Sequence, residues 1–252
     1  MAYSRAMPNQ KLYIHEFVDI LGQGRAKYMH HATANWSPIA QQERGQRCFG
    51  VFGTVGTTGR WPEVVNLWEE DGFDGMARSF EHELSSPTLQ DPSLTRWWAE
   101  AARHRRGGLD RLMIPAPWTR TIEELCADGV RGVAYAHELY QLRPGTSPDF
   151  LERARAEALD AYRPFGLELV GAFETAMRND SECLLLWAIE SWPQWAAFER
   201  AQRADAGILR WRKQITDLAI DWQRILLVEA ELSPMRLGRQ PASADRRPLE
   251  SF

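Results

Sequence analysis

The feature that most constrains this fold is an internal repeat. Tyr135 to Gly145 (YAHELYQLRPG) reads as a strand running into a Pro-Gly turn. Its His-Glu pair has an echo in Tyr13-Ile14-His15-Glu16-Phe17. Further pairs keep step. His15 and His137 lie 122 residues apart, as do Tyr28 and Phe150, while Gly50 and Gly171 lie 121 apart. The spacing then falls to 119 for Trp68 and Trp187, 114 for Arg96-Trp97 and Arg210-Trp211, and 113 for Arg111 and Arg224. A steady fall is what short loop deletions in a second copy produce, whereas chance matches scatter. The 252 residues therefore divide into two units of about 100–125 residues each.

The order of elements within each unit follows from periodicity and breakers. In the first, residues 1–10 form a frayed start and Leu12–Leu21 a strand closed by Gly22-Gln23-Gly24. Arg25 to about Gln42 is helical, and Pro38 either kinks the helix or restarts it with Ser37 as a new N-cap. Cys48–Thr54 and Glu63–Glu70 are strands, Phe73–Leu84 and Leu94–Arg105 helices, and Gly107-Gly108 stops the second of these before a strand over Leu109–Ile114. A linker over 116–131 carries a short helix with a capping box at Thr121–Glu124. The pattern then restarts: strand, helix from Pro148 to Tyr162, two strands, two helices, and a last strand over Trp222–Leu232. Ser233–Phe252, with four arginines and three prolines, reads as a disordered tail.

Each half is thus βαββαβ, the ferredoxin-like unit, with units at 11–115 and 132–232. Right-handed crossovers place the first and third strands of each unit at the centre of its sheet. Helices cover one face, and the bare apolar face must find a partner. The expected class is α+β, two tandem units packed sheet to sheet as a dimeric α/β barrel within one chain. Alternation along a strand sends His15 and Glu16, and likewise His137 and Glu138, to opposite faces. The sequence does not say which goes where.

Tyr135 to Gly145 resembles the opening strand of NIPSNAP proteins through Tyr135, Tyr140, Leu142, Pro144 and Gly145, with Arg143 in place of a lysine. Leu186-Trp187, and in the first half Leu67-Trp68, resemble that family's Leu-Trp strand. The resemblance implies the dimeric α/β-barrel superfamily, whose members include cofactor-free monooxygenases, small cyclases, isomerases, haem enzymes and many uncharacterised proteins. Ala136 and Glu138 stand where the family has Glu and Arg, so no role of that pair carries over.

Candidate chemistry concentrates in the first half. Tyr28, His31 and Asn35 form a polar stripe on a core-facing helix, matched in the second copy by Phe150, Arg153 and Glu157. Asn66 breaks an apolar strand that has Leu185 at the matching position. These contrasts place a pocket for a small apolar or aromatic metabolite there. His31 or His15 would transfer the proton, Tyr28, Asn35, Asn66 and Glu16 would orient the ligand, and Trp36 and Trp68 would wall it. The expected activity is cofactor-independent acid–base chemistry of isomerase, cyclase or monooxygenase type. The alternatives are a haem enzyme ligated by His15, His31 or His137, or a non-enzymatic binding or scaffold protein. No metal site is expected: Glu81-His82-Glu83 point three ways from a helix, and Cys48, Cys126 and Cys183 have no CxxC spacing.

Other classes are excluded. No GxGxxG follows a strand, and neither a Walker motif nor a GxSxG elbow occurs. A net charge of −4 offers no basic excess for nucleic acid. No run reaches the about 20 apolar residues of a membrane span, and Met1–Lys11 lacks an apolar leader core. These readings point to a cytoplasmic protein with a small-molecule ligand, no nucleic-acid or membrane partner, and a capacity to self-associate.

Overall fold

The computed structural model describes residues 8–252. Eight strands alternate with helices in two βαββαβ units. The first contains β1 (Leu12–Ile20), α1 (Arg25–His30), α2 (Ser37–Arg44), β2 (Arg47–Thr54), β3 (Glu63–Glu70), α3 (Gly72–Leu84), α4 (Pro92–Ala101) and β4 (Arg105–Pro115). After α5 (Ile122–Ala127) the second contains β5 (Ala134–Leu142), α6 (Ser147–Arg153), α7 (Leu159–Tyr162), β6 (Leu167–Ala176), β7 (Glu182–Ile189), α8 (Trp192–Ala201), α9 (Ala206–Gln214) and β8 (Ala219–Glu229). Thr121 caps α5, and Glu124 returns the bond, as a capping box requires.

The two sheets do more than face one another. Their edges hydrogen-bond, β2 to β8 and β4 to β6, and the ring closes in the order β1-β3-β2-β8-β5-β7-β6-β4. Closure removes the four edges that two separate sheets would expose. It also buries both faces of most strands, while the first halves of β4 and β8 stay exposed. The inner faces pack Tyr13, Phe49, Phe52, Tyr135, Phe173 and Leu184 into one barrel core, and each outer face packs against its own helices.

The copies share irregularities as well as topology. Each carries a bulge at the same place in its second strand, between Cys48 and Gly50 and between Leu169 and Gly171. A Cβ on either glycine would lie 2.4 Å from the ring of the phenylalanine two residues on, Phe52 or Phe173. Glycine is required there because the ring folds back over the backbone. Each copy also has a π-helical turn, His31–Trp36 and Ala154–Ala158. The first helix therefore neither breaks nor restarts at Pro38, and Ser37 makes no side-chain cap. The second copy has Leu159 just beyond its turn, so proline is not the cause. Pro38 has no N–H to give, and the Ala34 carbonyl accepts from Arg246 Nε instead, at 3.2 Å.

Three expectations need correction. Gly107-Gly108 lie inside β4, not at a helix end: the strand starts at Arg105, and Gly108 passes so close to Phe17 that a Cβ would sit 2.1 Å from its carbonyl oxygen. The C-terminal stretch is not a disordered tail. Gln240 bonds both backbone groups of Cys48, the Arg247 N–H donates to His30 Nε2, and Phe252 packs on the His30 ring at 4.5 Å. Composition missed this because the tail is anchored by main-chain and ring contacts rather than by a hydrophobic stripe. The frayed start of residues 1–10 lies outside the described residues up to residue 7, and beyond that Asn9 is buried and bonds the Tyr13 hydroxyl.

Candidate functional site

Register settles the faces. His15, Phe17 and Tyr13 point into the barrel, while Ile14, Glu16 and Val18 point to the helices. The same holds for His137 and Glu138 in β5. His15 Nε2 and His137 Nε2 meet at 2.8 Å across the barrel core, both rings fully buried. One ring must donate and the other accept, so both are neutral. Burial, the facing His137 and Arg111 push the His15 pKa well below its ordinary value. Burial and Arg111 push His137 down to about 3. His15 is therefore a structural partner of His137 and lies on the far side of the sheet from the helix-side residues.

That depression has a consequence for stability. The unfolded chain takes up protons on these histidines near pH 6.5, and the folded chain refuses them. Their contribution is complete above about pH 6.5 and is lost as pH falls toward the folded values. Glu70 and Glu229, both raised to about 7 mainly by burial, act in the opposite sense. The clean observable is thus a difference. The melting-temperature advantage of the wild type over His15→Leu/His137→Leu shrinks as pH drops from 7 to 4.5. A constant difference would count against a buried neutral pair.

The outer faces of the two sheets diverge. In the second copy, Glu138 opposes Arg224 across the β5–β8 ladder and pairs with it at 2.6 Å. The Tyr140 and Tyr162 hydroxyls and Trp187 Nε1 also donate to this carboxylate, at 3.2, 3.2 and 3.0 Å. Both carboxylate oxygens are thus saturated with donors.

In the first copy, Glu16 opposes Asp110, not an arginine. The register thereby corrects the pairing of Arg111 with Arg224. Asp110 is the counterpart of Arg224, and Arg111 points inward to Glu182 at 3.1 Å. Val18 takes the place of Tyr140, and α2 (SPIAQQER) carries no tyrosine to match Tyr162. The result is a cavity of about 350 Å³ between the first sheet and α2–α4. Glu16, Asp110 and Arg105 line its polar side; Trp36, Trp68, Trp97 and Trp98 are among its apolar walls.

The carboxylates differ in environment. Asn66 Nδ2 and Trp68 Nε1 both donate to Glu16 Oε2, at 2.6 and 3.0 Å. Asn66 also donates to the Tyr28 hydroxyl at 2.9 Å, and burial followed by the Glu16 charge raises that phenol, so it stays un-ionised. Asp110 has no hydrogen-bond partner among the described residues. Burial and the Glu16 charge raise it to about 6, with Arg105 opposing. The cavity thus holds one positioned carboxylate beside a second, at the solvent-exposed edge, that binds its proton more tightly than an ordinary aspartate.

Of the residues expected here, Glu16, Trp36 and Trp68 line the cavity, while Asn66 and Tyr28 lie buried behind Glu16 in its hydrogen-bond chain. His31 and Asn35 stand apart. His31 Nε2 bonds the Trp97 carbonyl at 3.0 Å, its Nδ1 bonds Asn35 Nδ2 at 2.9 Å, and its ring stacks on Trp97 at 5.2 Å. It ties the π-turn to α4 and has no nitrogen left for chemistry. Haem does not fit the histidines proposed for it. His15 and His137 occupy one another's Nε2 on the barrel side, and both His31 nitrogens are bonded. Asp110 and Arg105 escaped the sequence reading, the first because a like-for-like Arg match displaced it, the second because β4 begins earlier than its glycines suggest.

Among the described residues, Glu43, His82 and Asp91 come close enough to hold a cation. Asp91 is already used: it caps α4 through the Ser93 and Leu94 N–H groups and pairs with Arg44. No described helix is long and apolar enough to cross a membrane.

The chain matches no protein-family model and no curated relative. Solved structures share its fold along most of its length. A candidate monooxygenase from Lactobacillus acidophilus NCFM aligns with a TM-score of 0.58 and 7% identity, over 88% of this chain and 95% of its own. Another, from Fusobacterium nucleatum subsp. nucleatum, gives 0.56 and 10%, over 87% and 92%. An anthrone oxidase-like protein gives 0.55 and 9%, over 88% and 92%. NIPSNAP-family proteins also occur among the neighbours. One of unknown function from Agrobacterium tumefaciens is 25% identical over 42% of this chain and 95% of its own, with a TM-score of 0.37. The full-length likenesses establish a dimeric α/β-barrel fold with two repeats in one chain.

Proposed function

We propose that the protein binds a small, largely apolar or aromatic metabolite in the first-repeat cavity and performs cofactor-independent acid–base chemistry on it, of the isomerase, cyclase or monooxygenase type. The observation that carries this reading is the asymmetry of the repeats. The same Glu is neutralised and enclosed in one copy, and faces a second carboxylate across a cavity in the other.

Glu16 is the base. Its Oε2 is fixed by Asn66 and Trp68, and its Oε1 has no partner among the described residues. It takes a proton from a carbon beside a carbonyl, and the C–H electron pair moves onto the carbonyl oxygen. Asp110, raised to about 6, supplies from its protonated fraction the proton that this oxygen gains. As the enol O–H proton returns to Asp110, delivery of the Glu16 proton to another carbon gives an isomer; attack of the enol carbon on a second carbonyl, whose oxygen takes the Glu16 proton, gives a ring; and addition of dioxygen, itself the oxidant, with the Glu16 proton going to the outer oxygen, gives a hydroperoxide. Tryptophan walls exclude water from the anion and make each charge interaction stronger.

Turnover of an enolisable aromatic ketone is expected to fall at least about 10²-fold in Glu16→Gln. In Asp110→Asn the rate is expected to lose its dependence on a group titrating near pH 6. His31→Ala should alter stability more than rate. Unchanged turnover in Glu16→Gln together with loss in His31→Ala would return the role to the histidine.

A further inference from the structure

One cation in the cavity has no acid within ion-pair distance among the described residues. Arg105, at the start of β4, is 8% exposed and lines the polar side. It makes no salt bridge among the described residues. Among the described residues its Nε is buried without a partner, and its one side-chain hydrogen bond is a long one, 3.5 Å, from NH1 to the Tyr28 hydroxyl. The other two arginines lining the cavity wall each hold an acid, Arg44 pairing with Glu83 and Asp91 and Arg111 with Glu182. A buried guanidinium with open donors is costly unless something fills them. Its plane is already set, lying over the Trp98 ring at 4.7 Å and against Tyr28 at 5.9 Å. A planar fork held in this way matches a carboxylate better than it matches a single carbonyl.

We infer that the ligand is an aromatic carboxylic acid, its carboxylate paired with Arg105 and its ring lodged among Trp98, Trp97 and Trp68. The inference rests on the reading of the cavity as the binding site and adds the ligand's charge. Arg105 and Glu16 then divide the work. The cation anchors the acid, and the carboxylate on the neighbouring strand faces the ring or side chain beyond it. The first repeat keeps an arginine near its glutamate, as the second does, but places it on the same strand as Asp110 rather than directly opposite Glu16. The ligand carboxylate becomes the partner that Glu138 is to Arg224.

The test compares 2-naphthoate with 2-naphthamide, isosteres that differ in charge, using quenching of the cavity tryptophans and calorimetry on the intact chain. The acid is expected to bind at least about tenfold more tightly than the amide, because a charge-assisted pair replaces a neutral bond. Arg105→Gln should remove that preference while leaving amide affinity in place, and Arg105→Lys should retain part of it. Equal affinity for acid and amide, or an equal loss of both in Arg105→Gln, overturns the inference and leaves the cavity as the site. Ile14→Trp, which adds an indole to the cavity lining on β1, separates the two levels. If both probes still bind that variant, the site assignment fails and the inference with it. Binding of neither probe to the wild type also counts against both.

Discussion

Arg224→Leu is expected to destabilise the protein by about 3–5 kcal/mol, lowering the melting temperature by roughly 6–20 °C. The reason is what the substitution leaves behind. Glu138 is completely buried, and Arg224 is the cation that balances it. Burial works against the Arg224 charge, but Glu138, with Tyr162 and Glu199, outweighs it and raises its pKa. Without the guanidinium, two tyrosines and an indole still donate to the carboxylate, but its charge has no counterpart in a low-dielectric layer. The double change Glu138→Leu/Arg224→Leu should recover much of the loss, since a buried pair is often replaceable by apolar side chains of similar volume. Denaturant midpoints of the two variants check this. Equal destabilisation of both would mean that packing, and not the stranded charge, dominates.

Converting the first repeat toward the second is expected to trade function for stability. In Val18→Tyr/Asp110→Arg, the new phenol and guanidinium stand where Tyr140 and Arg224 stand in the other copy. Glu16 then acquires the cation that it lacks, and the like-charge contact with Asp110 disappears. Ligand affinity should fall at least about 10²-fold because the new guanidinium enters the cavity from the Asp110 position and occupies Glu16, while the melting temperature holds or rises. A coupled loss of both would mean that the first-repeat layer cannot accept the second-repeat solution. The open cavity would then be a packing consequence and not a specialised site.

These two expectations rest on residues that the sequence revealed unevenly. The duplication was legible because identical residues recur at a slowly falling spacing. Once two βαββαβ units are recognised, strand order and right-handed crossovers leave few arrangements. Closure of the barrel was less visible, since the edge strands β2, β4, β6 and β8 carry no marker of which neighbour they will meet. The faces of the central strands were not legible at all. In β1 and β5 both faces are buried, one by helices and one by the barrel core, so alternation gives two sets without ranking them. A histidine suits either side, and His15 went inward. Asp110 was hidden by a one-residue ambiguity: Arg111 offers an identical residue at a spacing of 113, and a slip of one residue exchanges the faces of a strand. The 114-residue spacing of Arg96-Trp97 and Arg210-Trp211 persists to Asp110 and Arg224, and it was the signal that would have found the site. His31 was drawn to the cavity by its stripe with Tyr28 and Asn35. The π-turn rotates the helix at that point, so those three side chains separate, Tyr28 to Asn66 and His31 with Asn35 to α4.

The central claim is that the first-repeat cavity around Glu16 and Asp110 is the ligand site. Native mass spectrometry of the intact chain with a set of small aromatic acids, run beside Val18→Tyr/Asp110→Arg, addresses it directly. The account predicts one retained adduct per wild-type chain and none on the closed variant. Equal adducts on both proteins, or none on the wild type, would contradict it.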